Sequence, residues 1–137
     1  MNDVQANEVM RRFGKAYFKQ DPALLADAVT DDVEWHFAMG PDAPDGRVRR
    51  GVAGILQGIA ENAALFEFLR FENVVCRALG AEQIVMTYLL DGKHRGGDSF
   101  NLRGVELITV KDGKVHRKDV FWKQYRSGSS DIAAKVQ

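Results

Sequence analysis

The chain has 137 residues, 45% apolar and 28% charged, and its 19 basic and 19 acidic side chains cancel formally. That length suits one domain with a real core, and zero net charge argues against a nucleic-acid or anionic-membrane partner, both of which reward a positive field. No apolar run approaches the roughly 20 residues of a membrane span, Met1-Asn2-Asp3-Val4-Gln5 lacks the features of a signal peptide, and the single cysteine, Cys76, rules out an intrachain disulfide, so a reducing cytoplasm is expected.

Residues 3–20 are predicted to be a helix, because Val9, Met10, Phe13, Ala16 and Tyr17 recur at three- and four-residue steps. Asp21-Pro22 starts a second, short helix: the aspartate caps free N–H groups, and proline suits a first position that needs no donor. Val33-Glu34-Trp35-His36-Phe37 alternates as a strand, with Val33, Trp35 and Phe37 on one face and Glu34 and His36 on the other. Residues 39–50 hold Gly40, Pro41, Pro44 and Gly46 and read as a defined loop or lid. A third helix is expected over about 51–63 on the period of Val52, Ile55, Leu56 and Ile59. Gly54 and Gly58 weaken it by roughly 1 kcal/mol each, but their spacing would let the helix approach a sheet closely. Residues 65–79 read as a strand bent near Glu72-Asn73.

The rest is a block of three long antiparallel strands, over 82–91, 99–110 and 115–123. A loop over 92–98 joins the first two, and Asp112-Gly113 forms the last hairpin, since that pair tolerates positive φ angles. A frayed tail follows from Ser127. Helices followed by runs of strands argue an α+β fold. The expectation is a cone-shaped, curved antiparallel sheet packed on three helices and enclosing a pocket. It forms a single domain over 1–137, with its ordered core at about 4–125.

Five stretches carry a family resemblance: Asp31-Asp32-Val33-Glu34-Trp35-His36, Gly51 at the third helix, Ser99-Phe100-Asn101-Leu102, Asp112-Gly113-Lys114-Val115, and Lys118-Asp119-Val120-Phe121-Trp122. In this order the chain resembles the cone-shaped fold of nuclear transport factor two and its SnoaL-like relatives. These include polyketide cyclases, ketosteroid isomerase, scytalone dehydratase and limonene epoxide hydrolase. One fold hosts many activities, so function must come from the site. The resemblance to limonene epoxide hydrolase implies an acid and a base at Asp91 and Asp119. Leu89 stands where that family has an arginine, and Trp35 and Phe37 stand where it has a tyrosine and an asparagine, so its full machinery is not present. The ketosteroid isomerase base would fall on Phe37, which takes no proton.

On the last strand Arg117, Asp119 and Phe121 alternate with His116, Lys118, Val120 and Trp122. If Phe121 points into the cone, Arg117 and Asp119 do too. Leu102, Gly104, Glu106 and Ile108 would join them from the preceding strand, and Val85, Thr87, Leu89 and Asp91 from the one before. Two carboxylates in a dry pocket are pushed apart in pKa, leaving one as acid and one as base. Asp91 and Asp119 are thus the expected catalytic pair, with Arg117 beside them. Trp35, Phe37, Leu89, Leu102, Glu106 and Phe121 would line the substrate pocket. The bland readings are a solvated Asp91, an Arg117–Asp119 structural ion pair, and a one-residue slip that turns Glu106 outward.

His36 and His116 are expected to point outward and His94 to lie in a loop. No metal or other cofactor is expected. Arg47, Arg49 and Arg50 would either grip an anion at the mouth or sit in solvent. The expected function is cofactor-free acid/base chemistry on a small, largely apolar molecule, of hydrolase, isomerase or cyclase type. The alternative is a non-catalytic module of the same fold that binds a small hydrophobic ligand or dimerises. Ile84, Met86, Tyr88 and Leu90, continued by Val120 and Trp122, form an apolar row expected to face outward and pair two copies as a homodimer.

Overall fold

The computed structural model describes residues 1–124; Tyr125 and the expected frayed tail lie outside the described residues. The chain opens with α1 (Asp3–Lys19), whose cap is reciprocal: the Asn2 side chain accepts from the Gln5 backbone N–H, and the Gln5 side chain accepts from that of Asn2. In α2 (Pro22–Ala28) the Asp21 carboxylate accepts from the N–H groups of Ala23 and Leu24, as its sequence predicts. Then follow β1 (Val29–His36), β2 (Val48–Arg50), α3 (Gly51–Leu65), β3 (Phe66–Leu79), β4 (Gln83–His94), β5 (Ser99–Lys111) and β6 (Lys114–Trp122).

The six strands form one curved, open sheet in the order β2-β1-β6-β5-β4-β3. From β6 to β3 each neighbour is antiparallel, but β1 joins β6 in parallel. The sheet is therefore mixed where a wholly antiparallel one was expected. The expected loop over 39–50 also contains a strand, since β2 pairs with β1 through Arg50, Arg49 and Val48. The helices pack on one face of the sheet. The α1 stripe of Val9, Met10, Phe13 and Ala16 joins Ile55 and Ile59 of α3 and Ile84, Ile108 and Val120 of the strands in one core. A Cβ on Gly58 would overlap the rings of Trp35 and Phe37, so this glycine lets α3 lie close against β1. No helix among the described residues is long and apolar enough to cross a membrane.

Asp112 (φ 53°) and Gly113 (φ 74°) make the tight turn predicted for them, with Lys111 opposite Lys114. Two irregularities then set which side chains face the helices. In β3 the register slips between Glu72 and Val75, where Asn73 has φ 52°. In β6, Val115 pairs with Val110 but Arg117 already pairs with Thr109, so His116 is one residue too many for the ladder. This is a β-bulge, and it reverses the alternation of every later residue in the strand.

Candidate functional site

Residues directly opposite in a ladder share a face. Glu106 in β5 lies opposite Met86 in β4 and Val120 in β6, Ile108 lies opposite Ile84 and Lys118, and Gly104 lies opposite Tyr88 and Trp122. This is the helix-covered face, and it carries two charged side chains, Glu106 at 2% exposure and Lys118 at 7%.

Burying charge is tolerated only with partners, and here they are present. The Lys118 ammonium donates to Glu106 Oε1 at 2.7 Å, and the Tyr88 hydroxyl donates to Oε2 at 2.8 Å. Trp122 Nε1 donates in turn to the Tyr88 oxygen at 3.1 Å. A side chain at position 104 would overlap the Tyr88 ring, so Gly104 lets that ring lie across β5 with its hydroxyl at Glu106. The Lys118 ammonium sits 5.0 Å from the centre of the Trp35 ring, a cation–π arrangement. Trp35 stacks on Phe37 with centroids 4.2 Å apart. Its buried indole N–H has no acceptor among the described residues.

The surroundings hold the phenols neutral. Burial pushes Tyr17 up to about 12, and the Glu106 charge adds to this against a hydrogen bond from Asn62. Burial likewise raises Tyr88, reinforced by Glu106. The Cys76 thiol is raised by the same two causes in the same order. Both tyrosines therefore remain hydrogen-bond donors at neutral pH.

Two cavities meet this network. One, of about 330 Å³, lies between α1 and β3 and is lined by Met10, Phe13, Cys76 and Met86. The other, of about 280 Å³, opens beside the segment after β1 and is lined by Trp35, Phe37, Asn62, Phe66 and Trp122. Tyr17, Phe71, Glu106 and Lys118 line both. An apolar enclosure with a few convergent polar groups is the usual form of a small-molecule site.

A model of the SnoaL-like domain matches residues 10–118. The chain belongs to the SnoaL-like family. Solved structures place this SnoaL-like chain in the wider nuclear transport factor two-like fold. One is a nuclear transport factor two-like protein from Burkholderia xenovorans LB400, with a TM-score of 0.74 and 20% identity over 90% of this chain and 92% of that one. A candidate polyketide cyclase from Xanthomonas campestris pv. campestris has a TM-score of 0.69 and 15% identity over 88% and 92%. TerC, crystallised with polyporic acid, has a TM-score of 0.69 and 20% identity over 87% and 92%. At these identities the likeness shows the fold alone. No curated protein matches the chain.

Within the SnoaL-like fold the expected site residues separate. Glu106, Trp35 and Phe37 line the cavities. Asp91, Asp119, Arg117, Leu89 and Phe121 do not, and the expected inward register is corrected here. The His116 bulge turns Arg117, Asp119 and Phe121 to the outer face, where Phe121 is 52% exposed. On β4 the inward row is Ile84, Met86, Tyr88 and Leu90, which leaves Leu89 and Asp91 outside. Asp91 pairs with Arg70 at 3.2 Å and Asp119 with Arg117 at 3.4 Å. Asp119 lies in the cross-strand row of Leu107 and Val85, six residues along β4 from Asp91, which is roughly 20 Å of strand. The structure does not bring these aspartates together.

Leu102 lines a separate groove with Phe66, His94 and Phe100. His94 ends β4 rather than sitting in a loop. His36 lies on the outer side of β1 as expected, but buried, with Nε2 at 3.0 Å from Glu34. His116 bonds Thr30 beside the bulge. Arg47 and Arg49 grip Glu61 of α3. Among the described residues no three His, Cys, Asp or Glu side chains cluster as metal ligands would. Sequence reasoning missed Lys118, Tyr88, Trp122 and Tyr17. For β4 a signal existed, since its even positions from Ile84 to Leu90 are apolar apart from the tyrosine hydroxyl, while its odd positions include Gln83, Thr87, Asp91 and Lys93.

Proposed function

We propose that the chain is a cofactor-free acid/base enzyme acting on a small, largely apolar molecule that bears a carbonyl oxygen. The observation that carries this reading is the buried Glu106–Lys118–Tyr88 network, whose Glu106 and Lys118 line both cavities. A pocket that only had to be apolar would be at least as stable with hydrophobic residues in place of the ion pair. Here Lys118 has three N–H donors and gives one to Glu106. Another would hold the substrate oxygen as negative charge grows on it. Glu106 would take the proton from the adjacent carbon, the C–H electron pair moving into an enolate whose oxygen faces Lys118. Tyr88 and Trp122 are positioning residues that fix the carboxylate. The candidate cyclase assignment of one relative and the organic acid held by another fit a small organic substrate.

A non-catalytic binder is the second reading. It is favoured by the engagement of both Glu106 oxygens and by the salt-bridged state of Asp91 and Asp119. Benzoylacetone in deuterated buffer separates the two. Deuterium uptake at its central carbon, followed by NMR, should be accelerated by the protein and lost in Glu106→Gln. Quenching of Trp35 and Trp122 fluorescence without accelerated exchange would mean a binder, and neither effect would end both readings.

A homodimer is also proposed, on a different surface from the one first expected. The row of Ile84, Met86, Tyr88 and Leu90 faces the helices, as do Val120 and Trp122. The outer face instead carries a row running Val75, Thr87, Val105 and Phe121 across four strands, with exposed Leu107 adjacent. Two copies would cover it. Light scattering that returned 15.3 kDa, the mass of one chain, would exclude this.

A further inference from the structure

We propose that the ligand spans both cavities: an elongated ketone whose carbonyl sits at Lys118, whose flat end lies between Trp35 and Trp122, and whose apolar limb runs along α1. The proposal rests on the acid/base reading for the position of the oxygen and adds the shape of the molecule. Glu106 and Lys118 stand where the cavities meet, because both residues line each of them together with Tyr17 and Phe71. A polar atom held there is in the middle of the available space rather than at its end. The two sides differ in character. Toward the loop the walls are aromatic, Trp35, Phe37, Phe66 and Trp122. Toward α1 the sulfur-bearing Met10, Cys76 and Met86 stand beside Phe13 and Phe18, and the flexible thioethers, absent from the tryptophan end, adapt to a chain of varied shape.

Gly14 supports this independently. It lies within α1 and lines the α1 cavity. Glycine inside a helix destabilises it relative to alanine, so close packing is the usual reason to find one. Close packing is absent here, since a Cβ at Gly14 would meet nothing within 4 Å. The open space beside it is the cavity. On the facing strand the Asn73 bulge interrupts β3 beside Val74 of the cavity lining. Exposed Phe18 and Val74 then leave an apolar mouth on this side, as Met39 and Leu65 do on the other.

The test uses acetophenone, butyrophenone and hexanophenone, in which the carbonyl separates a phenyl ring from an alkyl limb of increasing length. Trp35 and Trp122 report the loop side by fluorescence, and Cys76, the single cysteine, reports the α1 side through its rate of reaction with a small disulfide reagent. Affinity should rise about fourfold per methylene as the limb is buried. Saturating hexanophenone should slow Cys76 modification by at least about tenfold, whereas acetophenone should not. In Gly14→Leu the gain per methylene should vanish, with Gly14→Ala, which keeps the space open, as the folding control. A flat affinity series, or equal Cys76 rates with and without hexanophenone, overturns the proposal even if Gly14→Leu fails to fold. Failure of acetophenone itself to quench the tryptophans would instead overturn the placement of the carbonyl at Lys118, and with it the acid/base reading.

Discussion

The two faces of β6 carry similar chemistry in opposite surroundings. On the outer face Arg117 and Asp119 form an ion pair at 3.4 Å with side chains 43% and 25% exposed. On the inner face Lys118 meets Glu106 at 2.7 Å with side chains 8% and 2% exposed. Water screens the first pair, so holding it together or losing it matters little. The second pair is dry, and each charge depends on the other. The network of Tyr88, Trp122 and Trp35 exists only around the inner pair. A carboxylate beside a cation is therefore not informative by itself; its burial and its further partners are.

The comparison would break most clearly under single charge removal. Lys118→Met should cost about 3–5 kcal/mol in urea unfolding, because it leaves Glu106 buried without its cation. Combining it with Glu106→Leu should restore most of that loss, since an apolar pair of similar volume avoids desolvation. A single Lys118→Met variant as stable as wild type would show that the inner pair is not dry. Next in size is Tyr88→Phe, which withdraws the donor to Glu106 and the acceptor of the Trp122 N–H. It should cost about 1–3 kcal/mol in the same assay.

Alkaline pH probes the inner face in another way. Tyr17 and Tyr88 titrate higher in the folded chain than in the unfolded one, where phenols ionise near pH ~10. Their contribution is full below that pH and is lost as pH climbs toward the folded value, about 12 for Tyr17. The melting temperature should fall over this range, and less steeply in Tyr17→Phe. Parallel curves would remove Tyr17 from the account. The smallest effects belong outside. Asp119→Asn and Asp91→Asn should each change stability by less than about 1 kcal/mol, and a loss of several kcal/mol in either would mean that the outer face is covered in solution.

The fold was legible because its signals are local. The α1 stripe, the Asp21-Pro22 start and the Asp112-Gly113 turn each act within a few residues, and all three appear as read. The parallel pairing of β1 with β6 was not, because Val29 and Val115 are partners far apart in sequence with no motif to announce it. β2 was missed because Val48-Arg49-Arg50 is too short and polar to show a period. In the site Glu106 was legible, as an acidic residue in the row of Gly104 and Ile108. Lys118 was not. Counting back from the hairpin puts Arg117 and Asp119 inside, and only the extra residue His116 moves Lys118 there.

That extra residue has a genetic consequence. Loss of the single codon for His116 would close the bulge and leave Thr109 opposite Arg117 and Ile108 opposite Lys118, so the distal half of β6 would keep its faces. Lys118, Val120 and Trp122 would stay inside, and Arg117, Asp119 and Phe121 would stay outside. One in-frame deletion would thus remove the irregularity without changing the groups that β6 presents to a ligand. Among homologous sequences, a gap at this point marks a ladder without the bulge and keeps later columns on matching sides of the sheet, whereas a regular strand aligned here without a gap would compare residues on opposite sides.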